Sequence, residues 1–269
     1  MNQQTESMTR AVFTRYLLTL VAMLCAVSCA TLTRHREVAG LEVHTLRLEY
    51  ANAFLIKQGE NAFLVDAGHP HNAEKLEEKI REAGTDPANL RAIIITHGHA
   101  DHAGGASHFQ DRYQTPVIAG RGDEELYTEG KMGKLCPTDR TARRRHEKSS
   151  ASTYPPVLVS TWVDTESAPI DLEPLVGIKG QIMPIPGHTE GSIWVKLGEV
   201  AFVGDLLRGE IVGNDATLHF YMCDLEDNHG DISAVLAENP GIQTYFTGHF
   251  GPVTREQVSE FVEEWEPGK

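Results

Sequence analysis

The run Ala92-Ile93-Ile94-Ile95 passes directly into Thr96-His97-Gly98-His99-Ala100-Asp101-His102, and no other stretch constrains the chain as strongly. The apolar, β-branched run reads as a buried strand. Ligand-type residues crowded at its end serve no packing purpose, because an enclosed imidazole without a hydrogen-bond partner costs free energy. Metal ligation supplies that partner. Imidazole suits zinc, iron and related ions, and a carboxylate beside it lets a second ion or a bound water share the site. A lone His-x-His is weak evidence, whereas His97, His99, Asp101 and His102 in one short loop are a specific signal.

Around this loop the chain alternates between strand and helix patterns. Leu41 to Leu48, Asn52 to Lys57 and Asn61 to Val65 read as a meander, with Gly59 as a turn signal. His71 to Ala83 has helical spacing, with Gly84 as its stop. Leu90 to Thr96 is the buried strand, and further strands are expected at 115–119, 181–185, 192–196, 200–203 and 243–246. A short helix is expected near Asp231 to Ala237. A closing helix is capped by Thr254 with Gln257 and stapled by Val253 and Val258. This alternation predicts an α/β layered domain. Between Arg121 and Pro156 the signals fade, and the segment 121–156 reads as a lid or insertion, or as a solvated excursion.

Three later segments repeat the form of a strand, a glycine and a ligand-type residue: Pro186-Gly187-His188-Thr189, Val203-Gly204-Asp205-Leu206 and Thr247-Gly248-His249-Phe250. Glycine permits a tight turn at the sheet's end, and the strand is a rigid mount. With Asp66 in Phe63-Leu64-Val65-Asp66-Ala67-Gly68, these motifs resemble, in kind and order, the metallo-β-lactamase-fold hydrolase superfamily, from about Leu41 to the C-terminus. The resemblance implies a four-layer αββα sandwich with a metal site along one edge of its two sheets. It implies one ion on His97, His99 and His188, a second on Asp101, His102 and His249, and Asp205 bridging them. Two dications about 3.5–4 Å apart make hydroxide available at neutral pH, and one polarises the scissile oxygen. Asp101 would orient that nucleophile, and Asp66 would support the ligand loop from behind. Zinc is the expected pair of ions, with manganese or iron as alternatives.

Asp205 narrows the choice of substrate. A bridging aspartate resembles glyoxalase II, lactonases and phosphodiesterases of the superfamily more than its β-lactamases, which generally place cysteine or serine there. Glyoxalase II also carries a C-terminal helical region that recognises glutathione, which is not expected in the short stretch after His249. Lactonases place a tyrosine three positions after the bridging aspartate, where this chain has Arg208. Arg208 is thus a candidate contact for a substrate carboxylate or phosphate, with a salt bridge as the ordinary alternative. His219 is a candidate to reach the substrate pocket, although no spacing supports it as a ligand. Arg143, Arg144 and Arg145 face either an anionic substrate or solvent. The expectation is a dinuclear metallohydrolase that cleaves a small ester, thioester or lactone with metal-bound hydroxide. The alternatives are a β-lactamase or phosphodiesterase of the same fold, a mononuclear iron persulfide dioxygenase, and a non-catalytic metal-binding lipoprotein.

The 269 residues are 41% apolar and carry a net charge of −14, which suits a folded domain with a small-molecule substrate and disfavours nucleic acid. Of the four cysteines, Cys136 and Cys223 belong to the domain, either bridged or as free thiols. Arg10 and Arg15 precede an apolar stretch from Tyr16 to Val27, shorter than the roughly 20 residues of a spanning helix. Ala26-Val27-Ser28-Cys29 resembles the lipobox of bacterial lipoproteins, with ordinary signal cleavage or an uncleaved anchor as alternatives. The expected organisation is a signal over 1–29, a linker over 30–40 and the hydrolase domain over 41–269. The chain is then exported to the periplasmic side and held to a bacterial membrane through lipid on Cys29. A fatty-acid probe should label the wild-type chain and not Cys29→Ser; labelling that persists in the variant contradicts lipidation there.

Overall fold

Two-residue turns open the first sheet. In the computed structural model, which describes residues 34–38, 40–213 and 215–265, β1 (Arg34–Val38) precedes β2 (Leu41–Leu48), β3 (Ala51–Gln58) and β4 (Asn61–Val65). The β2–β3 hairpin pairs Leu48 with Ala51 and the β3–β4 hairpin pairs Gln58 with Asn61. Glu49 and Gly59 hold the positive φ that such tight turns demand. The signal segment and Cys29 lie outside the described residues. β1, inside the stretch read as a linker, is the outermost strand of the sheet.

The sheet continues through β5 (Ile93–Ile95), β6 (Val117–Gly120) and β7 (Thr161–Val163), its strands in sequential order. β4, β5, β6 and β7 pair in parallel. A second sheet holds β8 (Ile170–Asp171), β9 (Gln181–Pro184), β10 (Ile193–Leu197) and β11 (Val200–Gly204). After the ribbon of β12 (Arg208–Gly209) and β13 (Ala216–Thr217), β14 (Thr244–Thr247) and β15 (Val253–Thr254) complete it in the order β15-β14-β11-β10-β9-β8.

The period-2 alternation of side chains divides the core into three layers. Phe54, Ile56, Phe63, Val65 and Ile94 point from the first sheet towards Ile193, Val195, Phe202 and Phe246 of the second. On the other face of the first sheet, Leu55, Leu64, Ile93 and Ile95 meet Leu76 and Ile80 of the helix Ala73–Glu82 and Phe109 of the helix Ala106–Tyr113. On the other face of the second, Trp194, Ala201 and Val203 meet Ile232 and Val235 of the helix Leu225–Glu238 and Val258 of the helix Arg255–Glu263. Burying each large side chain of this kind contributes about 1.5–3 kcal/mol. The result is the four-layer αββα sandwich, two mixed sheets flanked by helices.

The closing helix has the expected capping box of Thr254 and Gln257. The helix expected near Asp231 starts earlier, because the Asp224 side chain accepts from the amides of Glu226 and Asp227. The weakly patterned segment 121–156 contains a 3-10 turn, Arg121–Asp123, and two α-helices, Glu124–Glu129 and Arg140–Ser150. The second is capped by Asp139, which accepts from the Ala142 amide at 2.7 Å, and Ala142 is its buried residue. A helix that buries so little apolar surface has no stripe to read.

The helices over the first sheet are cross-linked by Glu77. Its carboxylate accepts from Tyr113 Oη at 2.7 Å and lies 2.5 Å from His108 Nε2, with Arg81 and Arg112 also against it. Burial alone pushes this carboxyl up, but hydrogen bonds from His108, Tyr113 and Arg81 outweigh it and hold it at about 2 instead of 4.5. A depressed acid stabilises the fold above its unfolded pKa and loses that contribution as it protonates. Glu77→Gln should therefore cost about 1–3 kcal/mol at neutral pH, and the gap to wild type should close as pH falls from 4.5 towards about 2. Urea unfolding across that range checks it, and a gap independent of pH contradicts it.

Candidate metal centre

Parallel pairing delivers the ends of several strands to one edge. Asp66 follows β4, Thr96 follows β5, Asp205 follows β11 and Gly248 follows β14, and this carboxyl-end crevice is where open α/β sheets bind ligands. The Ile193 amide donates to the Thr96 carbonyl at 2.8 Å, which ties the two sheets together beside the crevice.

The structure brings His97, His99, Asp101, His102, His188, Asp205 and His249 together there. His97, His99 and His188 form one group of mutually close donor atoms, and Asp101, His102 and His249 form a second. Asp205 lies between them: its Oδ2 is 3.7 Å from His97 Nε2, 3.8 Å from His188 Nε2, 3.4 Å from His102 Nε2 and 3.3 Å from His249 Nε2. Asp101 Oδ2 is 3.4 Å from His249 Nε2 and 3.9 Å from His102 Nε2.

Gly248 allows this density, since a Cβ there would stand 2.2 Å from Asp205 Oδ1 and 2.6 Å from His102 Cε1. Gly204 has φ +52 and passes so close to Thr96 that a Cβ would meet its Oγ1 at 2.7 Å. Both contacts are incompatible with a side chain unless the ligand loops shift.

Each ligand loop is pinned by a buried polar side chain. Asp66 accepts from the Thr96 amide at 2.8 Å, from Thr96 Oγ1 at 2.9 Å and from His102 Nδ1 at 2.8 Å. His97 Nδ1 is 3.1 Å from that same Thr96 hydroxyl, and His249 Nδ1 donates to the Tyr50 carbonyl at 2.9 Å. Three further pins escaped the sequence reading. Asp123 accepts from the Gly98 amide at 2.7 Å, from Thr189 Oγ1 at 2.7 Å and from the Gly191 amide at 3.1 Å, joining the His99 and His188 loops. Asn52 Nδ2 donates to the carbonyls of Thr247 and Phe250 on either side of His249, and Asn228 Nδ2 donates to the Leu206 carbonyl beside Asp205. None carried a spacing signal, because each reaches its loop across the fold.

The electrostatics suit a cation. Burial pushes His97, His99 and His188 down, so their rings are neutral and their lone pairs free for ligation. Burial also opposes charge on His102 and His249, but Asp205 and its neighbours outweigh it, raising His102 well above its usual range and His249 to about 9. Burial pushes Asp101 and Asp205 up, yet the surrounding imidazoles hold both below the usual carboxylate range. Buried Nε2 atoms of His97, His102 and His249 and Oδ1 of Asp205 have no hydrogen-bond partner among the described residues, and His99 turns its Nδ1 to His188 Nε2 at 3.2 Å. Inward-facing, unsatisfied nitrogen and carboxylate donors are what a pair of divalent cations requires, and the donor set fits such ions.

A cavity of about 260 Å³ opens on the cluster, lined by His99, Asp101, Asp205, His219 and His249 at its base. Tyr50, His69, Phe220 and Phe250 form one wall, and Met132, Leu135, Arg145 and Ser149 of the 121–156 segment form the other. His219, for which no spacing supported ligation, sits inside the cluster, with Nε2 3.0 Å from Asp205 Oδ2. Arg208 stands behind the wall: its guanidinium lies 4.1 Å from the Phe220 ring centroid and donates to the Gly209 carbonyl. Cys136 and Cys223 are joined as a disulfide, which links the 121–156 segment to the loop carrying His219.

The description "Metallo-beta-lactamase superfamily" matches residues 46–249, and the chain belongs to that superfamily. The probable metallo-hydrolase YflN of Bacillus subtilis is 28% identical over 248 residues, covering 83% of this chain and 90% of its own. The hydroxyacylglutathione hydrolase GloC of Haemophilus influenzae is 27% identical over 159 residues, 58% of this chain and 66% of its own. BJP-1, a subclass B3 metallo-beta-lactamase of Bradyrhizobium japonicum, shares the fold with a TM-score of 0.56 at 21% identity, covering 84% of this chain and 81% of its own. In class, the protein is a metal-dependent hydrolase of this superfamily.

Asp66→Asn keeps the volume but removes the charge and turns an amide towards donors. Metal affinity should fall about 10–100-fold, as for other outer-shell partners of ligating histidines. Competition against a chromogenic chelator measures it, and an unchanged affinity contradicts the support role of Asp66.

Proposed function

We propose that the protein is a dinuclear hydrolase of small anionic acyl compounds, an ester, thioester or lactone bearing a carboxylate. The single observation that carries this reading is the position of Asp205, whose Oδ2 faces both groups of histidines at 3.3–3.8 Å. When bound, two divalent cations, zinc by the resemblance, supply a water of lowered pKa and polarise the carbonyl oxygen. The remaining work falls to the chain itself. Asp101 is held as a carboxylate by His102 and His249, so it accepts a hydrogen bond and orients the attacking water instead of donating a proton. Attack at the carbonyl carbon breaks the acyl–oxygen or acyl–sulfur bond, and the leaving group departs with a proton from that water.

Arg145 supports an anionic substrate. It is the only lysine or arginine among the described residues lining the cavity, and its Cζ lies 6.0 Å from the centroid of Tyr50. No carboxylate forms an ion pair with it among the described residues; Arg143, Arg144 and Arg145 are all solvent-exposed, and of the three only Arg145 lines the cavity. A guanidinium fork recognises a carboxylate through two parallel hydrogen bonds. The relatives named as hydroxyacylglutathione hydrolases favour thioesters within this class. Export is consistent with the disulfide, since such bonds persist in oxidising compartments.

Purified protein should hydrolyse members of an ester, thioester and lactone panel, lose turnover on chelation and regain it with zinc. Arg145→Gln should raise KM about tenfold or more for carboxylate-bearing substrates and leave neutral ones unchanged, the loss of one charged hydrogen-bonded pair being worth about 1.5–3 kcal/mol. Turnover that survives complete metal removal contradicts the reading. An equal effect of Arg145→Gln on neutral and anionic substrates contradicts the role of Arg145.

A further inference from the structure

His219 stands out because it shares the geometry of the ligands without belonging to their motifs. Its Nε2 lies 3.0 Å from Asp205 Oδ2, closer than that of His97, His102, His188 or His249. Its ring centroid is 5.0 Å from both His188 and His249.

One arrangement recurs in His97, His102 and His249. The Nδ1 of each meets a fixed oxygen, from Thr96, Asp66 and Tyr50 respectively, while Nε2 points inward without a hydrogen-bond partner. Ligating imidazoles are commonly oriented in this way by an oxygen on the far ring nitrogen. His219 repeats it: Nδ1 is 3.1 Å from the Tyr221 carbonyl, and the buried Nε2 is unpartnered despite its approach to Asp205. The short distance is therefore not a well-aligned hydrogen bond. The Tyr221 amide also approaches Nδ1, at 3.3 Å; in the tautomer with the proton on Nδ1 donated to the Tyr221 carbonyl, the Nε2 lone pair faces a carboxylate oxygen, and a cation between the two satisfies both.

The loop is also held more firmly than a surface connection needs. Thr138 Oγ1 donates to the His219 carbonyl at 2.8 Å, the Thr138 amide donates to the Phe220 carbonyl at 2.9 Å, and the Met222 amide donates to the Cys136 carbonyl at 2.8 Å. The Cys136–Cys223 disulfide closes the same junction. Such anchoring positions a ligand before the ion arrives.

We propose that His219 is a further protein ligand of the metal centre, adding its Nε2 to the ion shared by His188 and Asp205. Together with His97 and His99, that ion then has more protein donors than a tetrahedral zinc site takes. The inference rests on the metal centre of the proposed function, but its readout is ligation and not turnover.

Cobalt(II) substitution tests it, because tetrahedral cobalt absorbs visible light more strongly than five- or six-coordinate cobalt. His219→Ala should absorb more intensely than wild type, bind cobalt at least about tenfold more weakly, and show a smaller rise in Tm on loading, each protein measured against its own ion-free Tm. Added imidazole should return the spectrum of His219→Gly to that of wild type. His219→Gln, closer in volume, carries the same expectations if the alanine variant does not fold. A loaded variant with wild-type spectrum and affinity overturns this assignment alone. A wild-type protein that takes up no cobalt overturns the metal centre with it.

Discussion

The structure turns on one carboxylate enclosed by imidazoles. Asp205 is buried, and its Oδ2 lies within 3.0–3.8 Å of Nε2 atoms from His97, His102, His188, His219 and His249. Isolated buried charge is costly, and so is a set of buried nitrogens without partners. Burial opposes charge on His102 and His249, but the carboxylates of Asp205 and Asp101 outweigh it and favour a proton on each ring. Divalent cations held here would replace those protons and satisfy the remaining lone pairs, which would couple metal binding to proton release. The glycines at 204 and 248, the inter-sheet contact at Thr96 and the pins Asp66, Asp123, Asn52 and Asn228 all serve that convergence.

What was legible in the sequence follows from which physical signals are local. The longer strands show period-2 or continuous apolar runs, and the ligand loops show glycine and histidine at short spacing, so an α/β layered domain and a metal-binding loop could be read from the residues, while the four-layer sandwich and the full ligand set came from the family resemblance that those motifs carry. The pins could not, because Asp123 and Asn52 act on loops distant in sequence and look like any surface polar residue. His219 was hidden for the same reason: no motif surrounds it, and its place depends on a loop fastened to a helical segment that itself has little apolar patterning. Arg208, which the spacing after Asp205 brought forward, stacks on Phe220 behind the cavity wall. Arg145, on a helix the sequence left undefined, is the guanidinium that faces the cavity.

Scaffold and specificity are therefore built differently. The candidate metal ligands sit at the ends of buried strands, where three apolar layers fix the backbone. The cavity walls come from the 121–156 segment and the loop around Phe220, joined by backbone hydrogen bonds and the Cys136–Cys223 disulfide. This division lets the metal chemistry stay constant while the wall decides which substrate enters. In this chain the wall offers aromatic and apolar surface with one cation, on an otherwise acidic protein.

The most direct test is anomalous scattering from crystals of the metal-loaded protein, recorded at the absorption edge of the bound ion. The account predicts two peaks about 3.5–4 Å apart, one on either side of the Asp205 carboxylate. A single peak, or none within reach of Asp205, would contradict it.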